Sequence, residues 1–350
     1  MAKSIYELVT SSNMVAYWLE KNLNTYTVGD QLFPYKKEIG CEIDWIKGAN
    51  NQPVGLRLSA YDSKSIRRDR EGIEKYKTEM PFFKESMVVD EKMRQQLNTL
   101  MQTQNEALIN NIIAKIFNDQ IKLITAAYET IERMRMQLLT TGTISLASNG
   151  QAYSYDYGMP AGNKITVSTA WSSGSANIIK DINDVKKVAR RAGYKLTRAM
   201  CNSNLLENLT ANTNISKRIY AMSNGDVYIT SEQVRRFIEQ EAGLVIYVND
   251  DGYIDGTTGN FVNYFADDVF VLMPEGELGE THIGITPEES DLMNAATKAE
   301  VSLVNNGIAV TTFAIEDPVN VETKVSMVAL PSFEKADGVF ILDVDPTSLG

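Results

Sequence analysis

The stretch from Thr103 to Gly142 predicts one long helix, which constrains the fold more than any other feature of the chain. No glycine lies between Gly72 and Gly142 and no proline between Pro81 and Pro160, so nothing here requires a backbone break. At about 1.5 Å per residue the helix would be roughly 50 Å long, more than the diameter of a compact ~100-residue domain. The length therefore favours a spine across an elongated or flat molecule over an ordinary core helix. Its apolar stripe has helical spacing and contains Leu108, Ile112, Ile116, Ile121, Ile124, Tyr128, Ile131, Met134 and Leu138.

Both ends of this helix carry sequence signals. Thr103 and Glu106 have the spacing of a capping box, in which a hydroxyl and a carboxylate each satisfy a backbone N–H at the helix start. Gly142 supplies the stop, because glycine readily adopts the left-handed conformation that ends helices. We therefore predict a spine helix over residues 103–140. A shorter helix is predicted before it, from Asp90 to about Leu100.

Composition excludes several classes of protein. The chain has 350 residues and a net charge of -11, which argues against a surface built to neutralise nucleic-acid phosphates. Length favours two or three domains. Cys41 and Cys201 cannot form a disulfide framework, and we interpret both as small core residues of a protein made in a reducing cytosol. No signal peptide is evident, and no stretch approaches the ~18 apolar residues of a membrane span, so we expect a soluble protein.

The region before the spine helix indicates an arm and a hairpin. Residues 1–37 show no sustained hydrophobic period and read as an arm that lies on another surface. Residues 41–45 and 56–60 alternate apolar and polar side chains, which predicts two paired strands joined by a turn at residues 47–53. A two-stranded hairpin is marginal alone, so its apolar face needs a partner such as another subunit. Residues 63–89 are charged and look irregular.

The region after the spine helix predicts further strands and a second domain. Strands are expected within residues 143–169, around a turn at residues 157–163. Helices and strands then alternate over residues 181–316, which suggests a separate α/β domain whose first helix is capped by Asp181. Residues 319–331 have the period of a strand with one apolar face, and residues 339–344 predict a last strand buried on both sides.

The sequence offers little catalytic chemistry. His282 is the only histidine, so a multi-histidine metal site is excluded, and a Ser-His-Asp or Cys-His arrangement would have to use it. No nucleophile elbow and no GxxxxGK[ST] or GxGxxG phosphate loop occurs, and we interpret His282 as structural. Residues 249–255 resemble a calcium loop, but Tyr253 stands at a ligand position and no glutamate closes the loop. We predict a turn between strands there.

One enzymatic alternative remains open from the residues alone. An acid/base hydrolase would need a carboxylate pair of the kind that glycosidases use. Nothing in the spacing selects such a pair, so the sequence predicts no catalytic, cofactor-binding or metal-binding residues. The loop carboxylates from which a pair would have to come are Glu275, Glu277, Glu280, Glu288 and Glu289.

The carboxyl-terminal region carries a family resemblance. The runs DPVNVETKV at residues 317–325 and ALPSFEKAD at residues 329–337 resemble the signature of the phage lambda-type major capsid protein family. Three other segments, at residues 132–142, 155–171 and 273–287, are similar to the family's spine-helix end, the strand pair after it and a late loop.

The resemblance implies the α+β Hong Kong ninety-seven fold of tailed-phage shells. Its expected parts are an N-terminal arm at 1–37, an extended hairpin loop with its following segment at 38–84, and a peripheral domain with the spine helix at 85–174. An axial α/β domain at 175–316 and return strands of the peripheral domain at 317–350 complete it. Some capsid proteins of this fold link a loop lysine to a neighbour's asparagine; we interpret Lys47, near Asn50 and Asn51, as a solvated turn lysine.

The resemblance also implies a function. The expected protein is a non-enzymatic major capsid subunit that assembles with itself into hexamers and pentamers of an icosahedral shell around double-stranded DNA. Expected partners are scaffold and portal proteins, a decoration protein, and DNA through weak non-specific contact, with no cofactor and no membrane. The expected location is the virion, and the host cytoplasm during assembly. The alternatives are an encapsulin-like nanocompartment shell and the carboxylate hydrolase.

Overall fold

The structure is a computed structural model whose described residues form two compact units. It describes residues 5–21, 27–47, 74–103, 106–148, 150–220, 229–256, 258–294, 299–304, 307–316 and 319–346. Unit 1 comprises Met1–Asp44, Lys77–Met134 and Glu280–Ser332, and unit 2 comprises Trp45–Tyr76, Arg135–Gly279 and Phe333–Gly350.

The helices and strands are numbered in chain order. The helices are α1 Ile5–Leu8, α2 Ser11–Glu20, α3 Val28–Leu32, α4 Glu91–Thr103, α5 Glu106–Thr141, α6 Ile178–Arg191, α7 Ser203–Thr210, α8 Thr213–Tyr220, α9 Ser231–Ala242 and α10 Pro287–Met293. The strands are β1 Tyr35–Lys37, β2 Glu42–Lys47, β3 Glu74–Glu79, β4 Phe82–Val88, β5 Thr143–Ser148, β6 Gln151–Asp156, β7 Lys164–Thr166, β8 Leu196–Cys201, β9 Val245–Val248, β10 Gly252–Ile254, β11 Phe261–Asn263, β12 Val269–Pro274, β13 Thr281–Ile283, β14 Glu300–Val304, β15 Ile308–Glu316, β16 Val319–Pro331 and β17 Phe340–Asp343.

The long helix predicted from the sequence is present as α5, with 36 residues and a length of about 54 Å. It ends as expected: Gly142 has φ +72°, and its N–H donates to the carbonyl of Leu138. The helix begins at Glu106, three residues after the predicted start, and Thr103 is the last residue of α4. The short helix expected before the spine is α4.

Strand β16 is the centre of the six-stranded sheet of unit 1. It pairs antiparallel with β4, β13 and β15; β14 extends the sheet beyond β15, and β1 extends it beyond β13. The prediction that β16 has one apolar face is wrong, because its side chains are buried on both faces. Helix α2 lies on one face, where the Ser11 N–H donates to Thr312 Oγ1, and α10 lies on the other, where Glu288 binds Lys324.

The N-terminal arm contains a regular helix that hydrophobic periodicity did not reveal. The Thr10 hydroxyl accepts a hydrogen bond from the Asn13 N–H and caps α2. Met14 and Trp18, four residues apart, are fully buried, and the Trp18 indole stacks on the Tyr128 ring at 5.5 Å with an interplanar angle of 2°. Residues 14–19 are consecutively apolar or aromatic, so the sequence shows no helical period, but the two buried side chains hold the helix against the spine.

Helix α3 begins against a carboxylate of the spine helix. The Thr27 hydroxyl donates to Glu132 Oε2 at 2.8 Å and the Gly29 N–H donates to Glu132 Oε1 at 3.1 Å. The side chain of Glu132 is buried, and a Cβ at Gly29 would collide with its carboxylate. The negative charge at a helix N-terminus is favourable, and only glycine permits this close approach.

The hairpin of the N-terminal region is described only in part. Strand β2 matches the expected first strand, and it pairs with β3. Residues 48–73, which include most of the predicted turn and the predicted second strand, lie outside the described residues. The segment expected to be irregular contains β3 and β4. Their many charged side chains obscure the alternation of apolar and polar residues that indicates a strand. One of these charges, on Lys77 of β3, forms an exposed ion pair with Glu42 of β2 at 2.6 Å.

Unit 2 contains a five-stranded sheet in the order β7-β17-β12-β8-β9 with helices packed on it. The final strand β17 lies inside this sheet and is largely buried, as predicted. Helix α6 is capped by Asn177, whose side chain accepts the Lys180 N–H; Asp181 lies within the first turn, so its predicted cap role is wrong. Two hairpins, β5–β6 and β10–β11, form separate two-stranded sheets.

The two units divide the chain differently from the expected domains. Residues 280–316 were expected in the α/β domain, but β13, β14 and β15 belong to the sheet of unit 1. Strand β17 was expected with the peripheral return strands, but it pairs with β7 and β12 in unit 2. The alternation of apolar and polar residues identifies a strand. It does not show which sheet the strand joins, because strand pairing depends on tertiary contacts.

The cysteines occupy two different environments. Cys201 is buried as predicted, and burial together with the charge of Asp250 raises the pKa of its thiol to about 12. Cys41 is exposed, so its predicted core position is wrong. It lies in the segment between β1 and β2, immediately before the first residue of β2. Across the described part of the chain, no helix has the length and apolar character needed to cross a membrane.

Replacing Glu132 with alanine should destabilise unit 1. The substitution leaves the Thr27 hydroxyl and the Gly29 N–H without their buried acceptor, which costs about 1–3 kcal/mol in the free energy of unfolding. Urea unfolding followed by tryptophan fluorescence measures this loss. Glu129→Ala, one turn earlier on the exposed side of α5, is the matched control and should change the midpoint little. Equal shifts for the two variants would contradict a special role of Glu132.

The two thiols should differ in reactivity. With a pKa near 12, Cys201 is thiolate in only about one chain in ten thousand at pH 8, and its burial blocks the reagent. A disulfide reagent should therefore modify one thiol in the native unassembled chain and two in denaturant. Cys41→Ser should remove the fast native reaction. A second fast thiol in the native chain would show that Cys201 is accessible.

Candidate functional site

His282 lies in a buried serine–histidine–glutamate arrangement in unit 1. Its ring is only 1% exposed; Nδ1 lies 2.8 Å from Glu38 Oε1, and Nε2 lies 3.1 Å from Ser332 Oγ. The residues come from β13, from the end of β16 and from the segment after β1, so they are up to 294 positions apart and sequence spacing gave no signal for them.

This arrangement is built to hold strands together. Ser332 is fully buried, and its hydroxyl also lies 3.1 Å from both the backbone N–H and the carbonyl of Glu280. A serine nucleophile needs a free hydroxyl that a substrate carbonyl can reach, and this one has neither property. The geometry therefore joins the start of the extended-loop region to β13 and β16, which agrees with the structural interpretation of His282.

The loop carboxylates of unit 1 are paired with lysines. Glu280 binds Lys36 and Glu289 binds Lys37, both at 2.7 Å. Glu288 is partly buried, which raises its pKa, but hydrogen bonds from Lys324 and Ser326 outweigh burial and lower the pKa overall. A general acid at neutral pH needs a raised pKa, so Glu288 is suited to ion pairing rather than proton transfer. In unit 2, Glu275 and Glu277 are exposed on a loop.

The segment that resembles a calcium loop is a turn between β9 and β10, as predicted. The buried Asn249 side chain accepts the Asp251 N–H at 2.9 Å and packs on Met136, while Asp250 accepts the Ser203 N–H at 2.7 Å. These side chains cap backbone groups around the turn. They explain the local residue types without a metal ion.

Unit 1 exposes large apolar side chains near its extended segments. Ile39, between β1 and β2, is 95% exposed, and Phe82 and Val88 are exposed on β4, an edge strand of the sheet. In the arm, Tyr17 donates to Asn118 at 3.0 Å. Exposed apolar side chains beside an unpaired strand edge are typical of surfaces that contact other chains.

Unit 2 exposes a second set of apolar residues. They lie on edge strand β9 and on the β10–β11 hairpin, where a side chain has no neighbour within the unit to cover it. Together the two sets are the surfaces of the described residues that are best suited to contact other chains. The exposed residues of unit 2 in this region are Val245, Tyr247, Val248, Ile254, Phe261 and Val262.

Comparison with known proteins agrees with these surfaces. The family profile described as phage major capsid protein E matches residues 10–344. A prophage protein from Escherichia coli CFT073 that is assigned as a capsid protein is similar in structure, with 16% identity, 77% of this chain and 80% of that chain covered, and a TM-score of 0.55. A phage-related protein from Bordetella bronchiseptica RB50 has 11% identity, 96% and 97% coverage, and a TM-score of 0.54. No curated protein matches the chain.

The comparisons confirm the lambda-type resemblance and the α+β tailed-phage capsid fold. At such low identities the solved structures show the fold alone, whereas the family profile covers almost the whole sequence and favours a phage shell over an encapsulin-like one. The chain belongs to the phage major capsid protein E family, and it is a structural protein that assembles with copies of itself into the shell of a tailed-phage virion.

Proposed function

We propose that the chain forms hexamers and pentamers of an icosahedral head that encloses double-stranded DNA, and that this head assembles in the host cytoplasm. The observation that carries the proposal is the family match over residues 10–344. A shell built from one acidic chain needs many repeated contacts between copies, and the exposed apolar groups of both units are suited to supply them.

The parts of the chain have separate proposed roles. Residues 1–37 act as the arm, residues 38–84 as the extended loop that overlaps a neighbour, and residues 85–174 contain the spine of the peripheral domain. The axial domain was expected at residues 175–316. The pairing of β15 with β16 supports an earlier boundary, near residue 279, with residues 280–331 in the peripheral sheet.

The proposed mechanism distributes stability over many weak contacts. The arm and the loop bury apolar faces on neighbouring copies, so no single contact holds the shell. Because such contacts can be exchanged one at a time, the loop and the spine can reorient as a procapsid matures. The shell holds the DNA without strong adhesion, since a chain with net charge -11 gains little from phosphate contacts, and release at infection is correspondingly easy.

Further partners follow from the same role. A scaffold protein sets the size of the first shell, a portal protein occupies one vertex, and a decoration protein binds the outer surface. Two rival functions make different predictions for purified particles. An encapsulin-like shell would contain a cargo protein in place of DNA, and a carboxylate hydrolase would remain a monomer.

Negative-stain electron microscopy of the purified recombinant protein tests the proposal. We expect closed angular shells or flat hexameric sheets, because the assembly surfaces are part of the chain itself. Only monomeric particles, at high concentration and with a scaffold protein supplied, would contradict the capsid role. Shells that hold a co-purified cargo protein would favour the encapsulin-like function.

A deletion tests the role of the extended loop. Removing residues 47–53 should leave the fold intact, as judged by circular dichroism and thermal unfolding, but abolish closed shells, because the predicted tip of the loop can no longer overlap a neighbour. Replacing the same residues by a glycine–serine linker of equal length is the matched control for chain length. Normal shells from the deleted chain would show that the loop is not an assembly element.

A further inference from the structure

The β10–β11 hairpin of unit 2 presents an uncovered apolar pair. Ile254 and Phe261 lie directly opposite each other in the strand register, so their side chains share one face of the hairpin. Ile254 is 68% exposed and Phe261 is 61% exposed. Val245 and Tyr247, on the edge strand β9 that leads to the hairpin, are exposed as well. An apolar surface of this kind on a self-assembling chain needs a partner.

The hairpin also stands in a strongly acidic segment. Five aspartates, and no lysine or arginine, lie between Gly243 and Glu275. Asp250 accepts from the Ser203 N–H, and Asp267 accepts from the side-chain amides of two asparagines, so these hydrogen bonds come from neutral donors. The partner of the hairpin must therefore combine an apolar contact with positive charge.

Helix α6 of the same unit has these properties. Residues 178–195 carry six basic and two acidic side chains in a chain of net charge -11. Val188 is 43% exposed in the last turns of the helix, between Lys187 and Arg191, which are also exposed. Cations at a helix C-terminus are favoured by the helix dipole, which accounts for the charges but not for an exposed valine among them.

The two surfaces lie at opposite ends of one pair of strands. Helix α6 ends in a tight turn, with the Tyr194 N–H bonded to the Ala189 carbonyl, and β8 begins at Leu196 after this short turn. Strand β9 runs parallel to β8, and its last residue pairs with Cys201 at the far end. The six residues of β8 separate the surfaces by about 20 Å, so they cannot meet within one copy. Two copies placed head to tail bring them together.

We infer that the β10–β11 hairpin of one copy docks on the last turns of α6 in the next copy. Ile254 and Phe261 cover Val188, and the aspartates around the hairpin face Lys187 and Arg191. The contact joins two different patches, so its repetition gives a ring when the rotation from one copy to the next closes, as in a hexamer or a pentamer. The inference rests on the proposed assembly into hexamers and pentamers and names a contact that holds such a ring. Because each copy has a net charge of -11, most other orientations are repulsive, so the contact also sets the relative orientation of the copies.

Charge reversal in full-length protein tests this contact. The variant Lys187→Glu/Arg191→Glu should lower the yield of shells in sedimentation and electron microscopy at least about tenfold, because two attractive positions become repulsive. Lys217→Glu/Arg218→Glu makes the same two changes in the last turn of α8 and is the matched control, with yield near wild type. Phe261→Ser tests the apolar part without a change of charge and should also lower the yield. Circular dichroism and thermal unfolding confirm that each variant is folded.

Rescue identifies the partner surface. Adding Asp251→Lys to the α6 variant restores attraction between copies. The combined chain should therefore form more shells than its two parents, which are the α6 variant and the chain with Asp251→Lys alone. No gain over the parents, or wild-type yield from the α6 variant alone, would overturn the inference. An α6 variant that forms normal shells but retains less packaged DNA would assign the basic surface to DNA instead. If neither the wild type nor the α8 control forms shells, the result contradicts both the proposed function and the inferred contact.

Discussion

The pairing of β16 is the interaction on which unit 1 depends. This strand of 13 residues joins β4, β13 and β15 in one sheet, and β13 in turn holds β1, where the arm meets the extended-loop region. Its partner β4 lies more than 230 residues earlier in the chain. Bringing two such distant segments together lowers the conformational entropy of the chain before the contacts between them can form and stabilise the fold. Unit 1 is therefore incomplete until nearly the whole chain has been made.

The same dependence explains why β16 is buried on both faces. Its sequence alternates apolar and polar residues, which in isolation indicates a strand with one face toward water. The polar face contains Lys324 and Ser326, and both bind Glu288 of α10. The opposite face contains Thr323, beside Thr312, which accepts the Ser11 N–H of α2. Lys324, Ser326 and Thr312 therefore have polar partners inside the unit, although the alternating pattern alone predicts a face toward water.

The elements that the sequence predicts are those with a clear local pattern of apolar residues. Helices α5 and α9 have apolar residues at helical spacing and glycine at their ends, and β16 and β12 alternate or are continuously apolar. Strand β3 could not be predicted, because its residues are mostly charged and the strand exists through pairing with β2. The contact of His282 with Glu38 and Ser332 was equally hidden, because it joins three distant segments. Function was accessible through the family motifs, whereas the surfaces that perform it required the exposed residues of the folded chain.

Net charge alone is a poor guide to how this chain associates. A value of -11 predicts repulsion between copies, yet the charge is unevenly distributed, with residues 237–297 free of lysine and arginine and residues 178–195 rich in both. Uneven charge allows identical acidic chains to attract each other in one relative orientation while they repel in most others. Over a Debye length of about 8 Å at physiological salt, only the facing patches of two copies interact strongly. Orientation is thereby selected by local charge, and the apolar residues within those patches supply the adhesion once the copies are aligned.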